Sequence, residues 1–203
     1  METYERYLSL SRSNIAARFV HAFFFAVASA VCARIAFHLW YTPVPITLQV
    51  MGVILSGLVL GSRWGAISQL QYLFLGLCGF PVFAGGTSGP AAFIGPSGGY
   101  LIGFVLGAYL CGLVFERLSG KTSFAAWISG GIGIIGIYVI GASWLALWMG
   151  TAASKGFAGG LQGAWQLGIV PFIGIDMLKA VAASTIFRGC RSAFNEIEPM
   201  RHL

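Results

Sequence analysis

The sequence predicts an all-α membrane protein with six transmembrane helices, and three observations lead to this fold class. Hydrophobic residues make up 57% of the 203 residues and charged residues only 9%, whereas about 25% of an average soluble domain is charged. Six apolar stretches of membrane-spanning length fit in the chain and leave no room for a soluble domain. Lysine and arginine are also concentrated in alternate linkers. This composition excludes an ordinary soluble enzyme, a disordered tail and a nucleic-acid-binding domain.

The predicted spans form a single membrane domain that covers residues 1–203. The spans run over residues 19–40, 43–61, 64–80, 98–117, 124–149 and 166–188. Shorter linkers separate most of them: tight turns at 41–45 and 61–63, a polar turn at 118–123 and a Gly-rich loop at 150–165.

The linker between the third and fourth spans, residues 81–97, is a long Gly/Pro-rich loop without charge. It contains Phe83, Phe93 and Ile94 and is too apolar to extend into water. We therefore expect it to fold back over the outer face as a lid or a partial re-entrant segment. Its glycine-rich backbone can present N–H groups to a small ligand.

The distribution of basic residues predicts that both termini are cytoplasmic. Of the 12 Lys and Arg residues, nine fall on the side of the termini: Arg6, Arg12, Arg18, Arg63, Arg117, Lys121, Arg188, Arg191 and Arg201. Lys155 is the single basic residue in the linkers of the opposite side. Cytoplasmic loops carry the excess of positive charge in membrane proteins. A cleaved signal peptide is the alternative for the first span, but its leader is long and cleavage would leave Arg34 near a free end.

Three ionisable residues fall inside predicted spans, where each costs about 2.5–3.5 kcal/mol at mid-helix. Asp176 and Lys179 are three positions apart and share one helical face. Arg34 is expected in the same outer half of the membrane. The three charges can therefore meet around an outward-facing polar cavity. The alternative for Asp176 and Lys179 is a mutually neutralising pair that only aids packing.

Gln49 adds a fourth polar group at the start of the second span, within the segment PVPITLQ (43–49). Pro43 and Pro45 delay helix formation and leave extended backbone near Thr47. Such backbone is tolerated at membrane depth where protein buries it or a cavity uses it. Gln49 is predicted either to face that cavity or to form a hydrogen bond between helices.

The first span contains a strip of small residues, Ala22, Ala26 and Ala30. Their spacing of four places them on one helical face, where another helix can approach closely. This alanine strip either packs inside the bundle or docks a partner protein.

No motif supports catalysis, and we predict no enzyme, no metal and no cofactor. The GxGxxG match at 131–136 lies inside an apolar span without a preceding strand, so helix packing explains it. Residues 120–122 resemble the end of a P-loop, but Phe115 stands where the first glycine belongs. None of the three histidines has an evident partner: His21, His38 and His202. A membrane enzyme that uses Asp176 as general acid/base is a further alternative, but no span provides a second catalytic carboxylate or a metal cluster.

Three segments resemble the BioY family of biotin transporters, the substrate-binding S components of energy-coupling factor (ECF) transporters. They are PVPITLQ (43–49), GLCGFPVFAGGTSGPAAFIGPSGGYLIGF (76–104) and PFIGIDMLKA (171–180). The resemblance extends from the alanine strip to the last span. The combination of the GPSGGY loop with the late D-x-x-K is specific to this family.

The resemblance implies a six-helix S-component bundle that binds biotin, as the transported ligand, in the outer half of a bacterial cell membrane. The family's binding positions fall on Gln49, Gly85, Gly86, Thr87, Ser88, Gly99, Tyr100, Asp176 and Lys179. Further candidates are Phe83 and Phe93 to cover the rings of the ligand and Arg34 as a charge partner. An S component for another small vitamin or precursor is the alternative.

The resemblance also implies partner proteins. The alanine strip would dock the transmembrane coupling protein, and two ATPases would drive uptake. Two positions depart from the family's pattern, because some members have a basic residue where this chain has Leu101 or Thr87. A carboxylate partner from those positions is missing here, so that Lys179, Arg34 or backbone N–H groups would have to substitute.

Overall fold

A computed structural model describes residues 14–118, 122–151 and 156–197, which are mostly helical. The elements in chain order are α1 (Ile15–Arg34), β1 (Ala36–Phe37), β2 (Ile46–Thr47), α2 (Gln49–Leu77), a 3₁₀ turn (Ala84–Gly86), α3 (Ala91–Ile94), α4 (Gly98–Arg117), α5 (Ser123–Thr151), α6 (Gly156–Ala164), a π-helical turn (Trp165–Ile169) and α7 (Val170–Ile197). By length and composition, five helices in these residues can cross a membrane: α1, α2, α4, α5 and the continuous helix that joins α6 to α7.

Helix α2 contains two antiparallel segments because its backbone reverses at Gly61, which has φ 80° and ψ −179°. A Cβ atom built on Gly65 would lie 2.9 Å from the Cα atom of Gly57. Farther from the reversal, Gln69 Nε2 donates a hydrogen bond to Ser56 Oγ at 3.1 Å. The two halves of α2 therefore form a helical hairpin, and the described residues contain six apolar helical segments. This architecture confirms the predicted fold class.

The reversal lies at the tight turn predicted over 61–63, and Glu116 at the end of α4 holds it. The Ser62 N–H donates to Glu116 Oε1 at 2.8 Å, and Ser62 Oγ donates to Glu116 Oε2 at 2.9 Å. A carboxylate in this position satisfies a free N–H group and complements the positive end of the helix dipole. A side chain on Gly61 would collide with Glu116 Oε1. The turn therefore requires glycine for its backbone conformation and for space.

Helix α1 does not extend over the predicted span of 19–40. It begins at Ile15, where Asn14 Oδ1 accepts a hydrogen bond from Ala16 N at 3.0 Å, and it ends at Arg34. The chain then forms β1, which pairs with β2 in an antiparallel ladder that sets Ala36 opposite Thr47. This ladder takes the backbone hydrogen bonds that a longer helix would have used.

The last helix is longer than the predicted span of 166–188. It runs from Gly156 to Ile197 through the π-helical turn, so most of the loop expected over 150–165 is helical. A Cβ atom built on Gly160 would collide with the carbonyl oxygen of Ala146. Glycines that suggested a loop instead allow α6 to pack closely against α5.

Of the two alternatives for the alanine strip, the structure shows packing inside the bundle, so that Ala22 and Ala26 do not form the docking surface that the resemblance implied. Ala22 and Ala26 are 0% exposed, and Ala30 packs against the core. The approach to α2 is close, because a Cβ atom built on Gly52 would lie 3.1 Å from Ser29 Oγ. The small side chains are therefore used for helix packing within the chain.

Candidate substrate-binding site

A cavity of about 460 Å³ lies among the helices and beneath the loop that follows α2. The loop contributes Phe83, Ala84, Thr87, Ser88, Ala91, Ala92, Gly95, Pro96 and Ser97. The segment before α2 contributes His38, Pro43, Val44, Pro45 and Thr47. The helices contribute Gln49, Val50, Tyr100, Leu101, Phe104, Ile137, Tyr138, Phe172, Asp176 and Lys179. The volume suits a small molecule, for which pockets are about 300–1,000 Å³.

The loop is held over the cavity by several hydrogen bonds. Trp144 Nε1 on α5 donates to the carbonyl oxygen of Gly95 at 2.9 Å. The N–H of Gly89 donates to the carbonyl oxygen of Gly76 at 2.8 Å. These bonds satisfy backbone groups that would be costly in an apolar environment. The loop therefore forms one wall of the cavity, as its apolar composition predicted.

The most polar part of the wall is a buried ion pair on α7. Lys179 Nζ lies 2.7 Å from Asp176 Oδ1, and Tyr138 Oη on α5 donates to Asp176 Oδ2 at 2.7 Å. Asp176 is 3% exposed and Lys179 is 6% exposed. The pair shares one helical face, as the i,i+3 spacing predicted. Each carboxylate oxygen keeps a free lone pair and Nζ keeps further N–H groups, so that the cluster can bind both donors and acceptors.

Gln49 combines the two roles that its sequence position left open, because it lines the cavity and also bonds to a second helical segment. Its Oε1 accepts from Thr47 Oγ1 at 2.8 Å, and its Nε2 donates to Tyr72 Oη at 2.5 Å. Tyr72 Oη in turn donates to the carbonyl oxygen of Val82 at 3.1 Å. The network fixes the start of α2, its end and the loop relative to one another.

Aromatic rings form much of the apolar wall. Phe83 is buried and lines the cavity, and its ring lies edge-to-face with those of Tyr72 and Phe93 at centroid distances of 5.5 Å. Phe93 is not part of the wall and supports Phe83 from behind. Tyr100 also lines the cavity, and its hydroxyl donates to the carbonyl oxygen of Gly168 in the π-helical turn at 2.8 Å.

Arg34 does not meet Asp176 and Lys179 around the cavity, in contrast to the prediction. It is exposed at the end of α1 and is not part of the cavity wall. Its Nη1 lies 3.2 Å from the position that a Cβ atom on Gly86 would occupy. Because α1 ends at Arg34 and the chain turns into β1, the guanidinium lies beside the 3₁₀ turn rather than in the cavity.

The predicted glycines shape the site without lining it. Gly85 and Gly86 have φ values of 67° and 77° and form the turn that carries the lining residues Ala84 and Thr87. Gly99 faces α5, where an added Cβ atom would collide with Cβ of Trp144. Thr87 and Ser88 of the same predicted set do line the cavity.

Sequence reasoning missed Tyr138 and His38 as parts of the cavity wall. The predicted span that carries Tyr138 also holds Ser129 and Ser143, so that the Tyr138 hydroxyl gave no distinct signal in the sequence. His38 follows β1 and reaches the wall only because the segment between α1 and α2 folds over the bundle. Among the described residues, no group of three or more His, Cys, Asp or Glu side chains could hold a metal ion.

The described residues form a membrane bundle of six helical segments, and a loop covers a cavity whose wall holds a buried ion pair. This arrangement is typical of a membrane protein that binds a small ligand. The BioY family model matches residues 5–196, and the chain belongs to the BioY family. It is therefore a multi-pass membrane protein.

Individual relatives agree with this assignment. The chain is 38% identical to "Biotin transporter BioY" of Thermotoga maritima over 144 residues, which cover 71% of this chain and 79% of the relative. It is 36% identical to "Biotin transporter BioY" of Rhizobium etli over 174 residues, covering 82% and 88%. It also resembles the crystal structure of the S-component for biotin from an ECF-type ABC transporter. That comparison gives a TM-score of 0.75 at 29% identity and covers 87% of this chain and 92% of the other.

Proposed function

We propose that this protein is the biotin-binding transmembrane subunit of an uptake system. The observation that carries the proposal is the buried Asp176–Lys179 pair, bonded to Tyr138, in the wall of a small-molecule cavity. The relatives named as biotin transporters support the choice of ligand. The protein acts in transport and is not an enzyme.

The chemistry of biotin suits this cavity. Its planar ureido group has two N–H donors and one carbonyl acceptor, and it is fused to a thioether ring that carries a carboxylate tail. Asp176 can accept from a ureido N–H, and Lys179 can donate to the ureido carbonyl. Phe83 and Phe172 can cover the apolar faces of the rings. Hydrogen bonds to charged groups contribute about 1.5–3 kcal/mol each, so that this cluster would dominate recognition.

The cavity faces the outside of the cell in this proposal. Arg18 lies over the ring of Trp64 at 5.5 Å, just after the reversal at Gly61, and Arg117 ends α4 at the same end of the bundle. The cavity residues lie at the other ends of these helices. Because positive charge favours the cytoplasmic side, the bundle would sit in the cell membrane with both termini in the cytoplasm.

Energy for uptake would come from partner proteins. The solved relative is the S-component of an ECF-type ABC transporter, which supports a transmembrane coupling protein and ATPase subunits as partners. Uptake of labelled biotin into proteoliposomes tests this directly. Uptake that needs ATP and the added coupling and ATPase subunits supports the proposal, whereas ATP-independent uptake by the chain alone would contradict it.

The alternative is an S component for another small vitamin or precursor. Competition binding in detergent separates the two ligand classes. Labelled biotin should be displaced by desthiobiotin, which keeps the cyclic urea with two N–H groups, and not by riboflavin, which lacks that saturated cyclic urea and the carboxylate. Displacement by riboflavin, or no retention of biotin, would favour the alternative.

A further inference from the structure

We propose that His38 recognises the free carboxylate of the ligand. This inference rests on the proposed function and deepens it, because it assigns the second polar end of the site. The ion pair on α7 would bind the ureido head, and His38 would bind the end of the tail.

Electrostatic repulsion disfavours a position of the ligand carboxylate beside the ion pair. Among the residues that the structure describes, the ionisable side chains in the wall, apart from the tyrosines, are His38, Asp176 and Lys179. Lys179 is already neutralised by Asp176 at 2.7 Å. A ligand carboxylate placed there would meet the negative charge of Asp176 in a buried environment, where like charges repel strongly. His38 is the ionisable group that remains.

The position of His38 suits the end of an extended ligand. It is exposed, whereas Asp176 and Lys179 are buried, so that the two polar groups lie at different depths of one cavity. Its Cε1 atom lies 3.7 Å from the position of a Cβ atom on Gly85, which places the ring against the 3₁₀ turn. A carboxylate bound there keeps part of its hydration and avoids the cost of full burial.

The imidazole has the required chemistry. At least one of its ring nitrogens carries a hydrogen in either protonation state, so that it can always donate to a carboxylate. Ser97 lines the same cavity, and its hydroxyl makes no capping bond to α4. Its hydroxyl is therefore a further donor in the cavity wall.

Arg34 provides a matched control because it is a cationic residue in the same neighbourhood. Its guanidinium lies beside Gly86, whereas His38 lies beside Gly85, the preceding residue of the same turn. It is not part of the cavity wall. A general electrostatic effect of this region would therefore appear on removing either residue, whereas direct recognition would appear only for His38.

The test compares the affinities of biotin and biotinamide, which lacks the carboxylate, for the full-length protein in detergent. His38→Ala is expected to weaken biotin binding by about 10-fold, as loss of a hydrogen bond to a charged group implies, and to leave biotinamide binding within about 2-fold. His38→Gln, which retains a donor, should recover part of the loss. Arg34→Gln should leave the ratio of the two affinities unchanged.

Each other outcome has a definite meaning. Equal weakening of both ligands by His38→Ala would overturn the proposal, because His38 would then support the loop. Selective loss in Arg34→Gln but not in His38→Ala would transfer the role to Arg34. Failure of the folded wild-type protein to bind either ligand would overturn the proposed function itself. Thermal unfolding of each variant confirms that comparisons are made on folded protein.

Discussion

Gln49 donates a hydrogen bond to Tyr72 at 2.5 Å although the two residues are 23 positions apart in one helical element. In a straight helix they would be about 35 Å apart. The reversal at Gly61 brings them together, and Tyr72 extends the contact to Val82 in the loop. The position of the loop over the cavity therefore depends on the hairpin formed by α2.

Removing the hydroxyl of Tyr72 tests this dependence. Tyr72→Phe breaks the bonds to Gln49 and Val82 and should lower the free energy of unfolding by about 1–3 kcal/mol. Biotin affinity should also fall, because the loop loses an anchor. Thermal unfolding and binding in detergent measure the two effects. Tyr109→Phe is the matched control because Tyr109 is exposed on α4; equal behaviour of the two variants would refute the role of Tyr72.

The backbone of Gly61 gives a second prediction. Gly61→Ala forces a residue with a Cβ atom into a region that glycine alone adopts readily, at a cost of about 1–3 kcal/mol. It also displaces Glu116 from its bonds to Ser62. We expect a lower Tm. Gly189→Ala in α7, where the added Cβ atom meets open space, should not lower it. Equal Tm values for both variants would contradict the strained reversal.

The buried alanine strip gives a third prediction. Ala26→Leu adds volume between α1 and its neighbours and should destabilise the protein by about 1–3 kcal/mol through overpacking. Val27→Leu adds volume on the exposed face of the same helix and should be tolerated. Thermal unfolding in detergent compares them. Unchanged stability in Ala26→Leu together with loss of energised uptake would instead indicate a docking surface.

Much of this fold follows from sequence patterns that lie within a single helix or turn. The apolar stretches and the glycine-containing turn at 61–63 indicated the helices and the reversal, and the i,i+3 spacing indicated the Asp176–Lys179 pair. These features depend on residues that are close in the chain. They need no knowledge of how distant helices pack.

The remaining features depend on contacts between distant segments. Tyr138 donates a hydrogen bond to Asp176, which is 38 positions away in the sequence. No local sequence pattern distinguishes Tyr138 from a tyrosine that only packs in the core. Arg34 lies outside the cavity because β1 and β2 end α1 early, which is a tertiary effect. Gly160 suggested a loop but serves helix packing. Glycine has both uses in membrane proteins, and sequence alone does not separate them.

The most direct test of the central claim is calorimetric titration of biotin into the purified wild-type protein and its Asp176→Asn variant. We predict that the wild type binds biotin and that Asp176→Asn weakens binding by about 100-fold or more, since the variant loses a charged acceptor and leaves Lys179 unpaired. Glu116→Gln makes the same carboxylate-to-amide change at the opposite end of the bundle, and its amide oxygen can still accept from the Ser62 N–H, so that the reversal is kept and the variant should bind like wild type. Unchanged affinity in a folded Asp176→Asn variant, or no binding by folded wild type, would contradict the account.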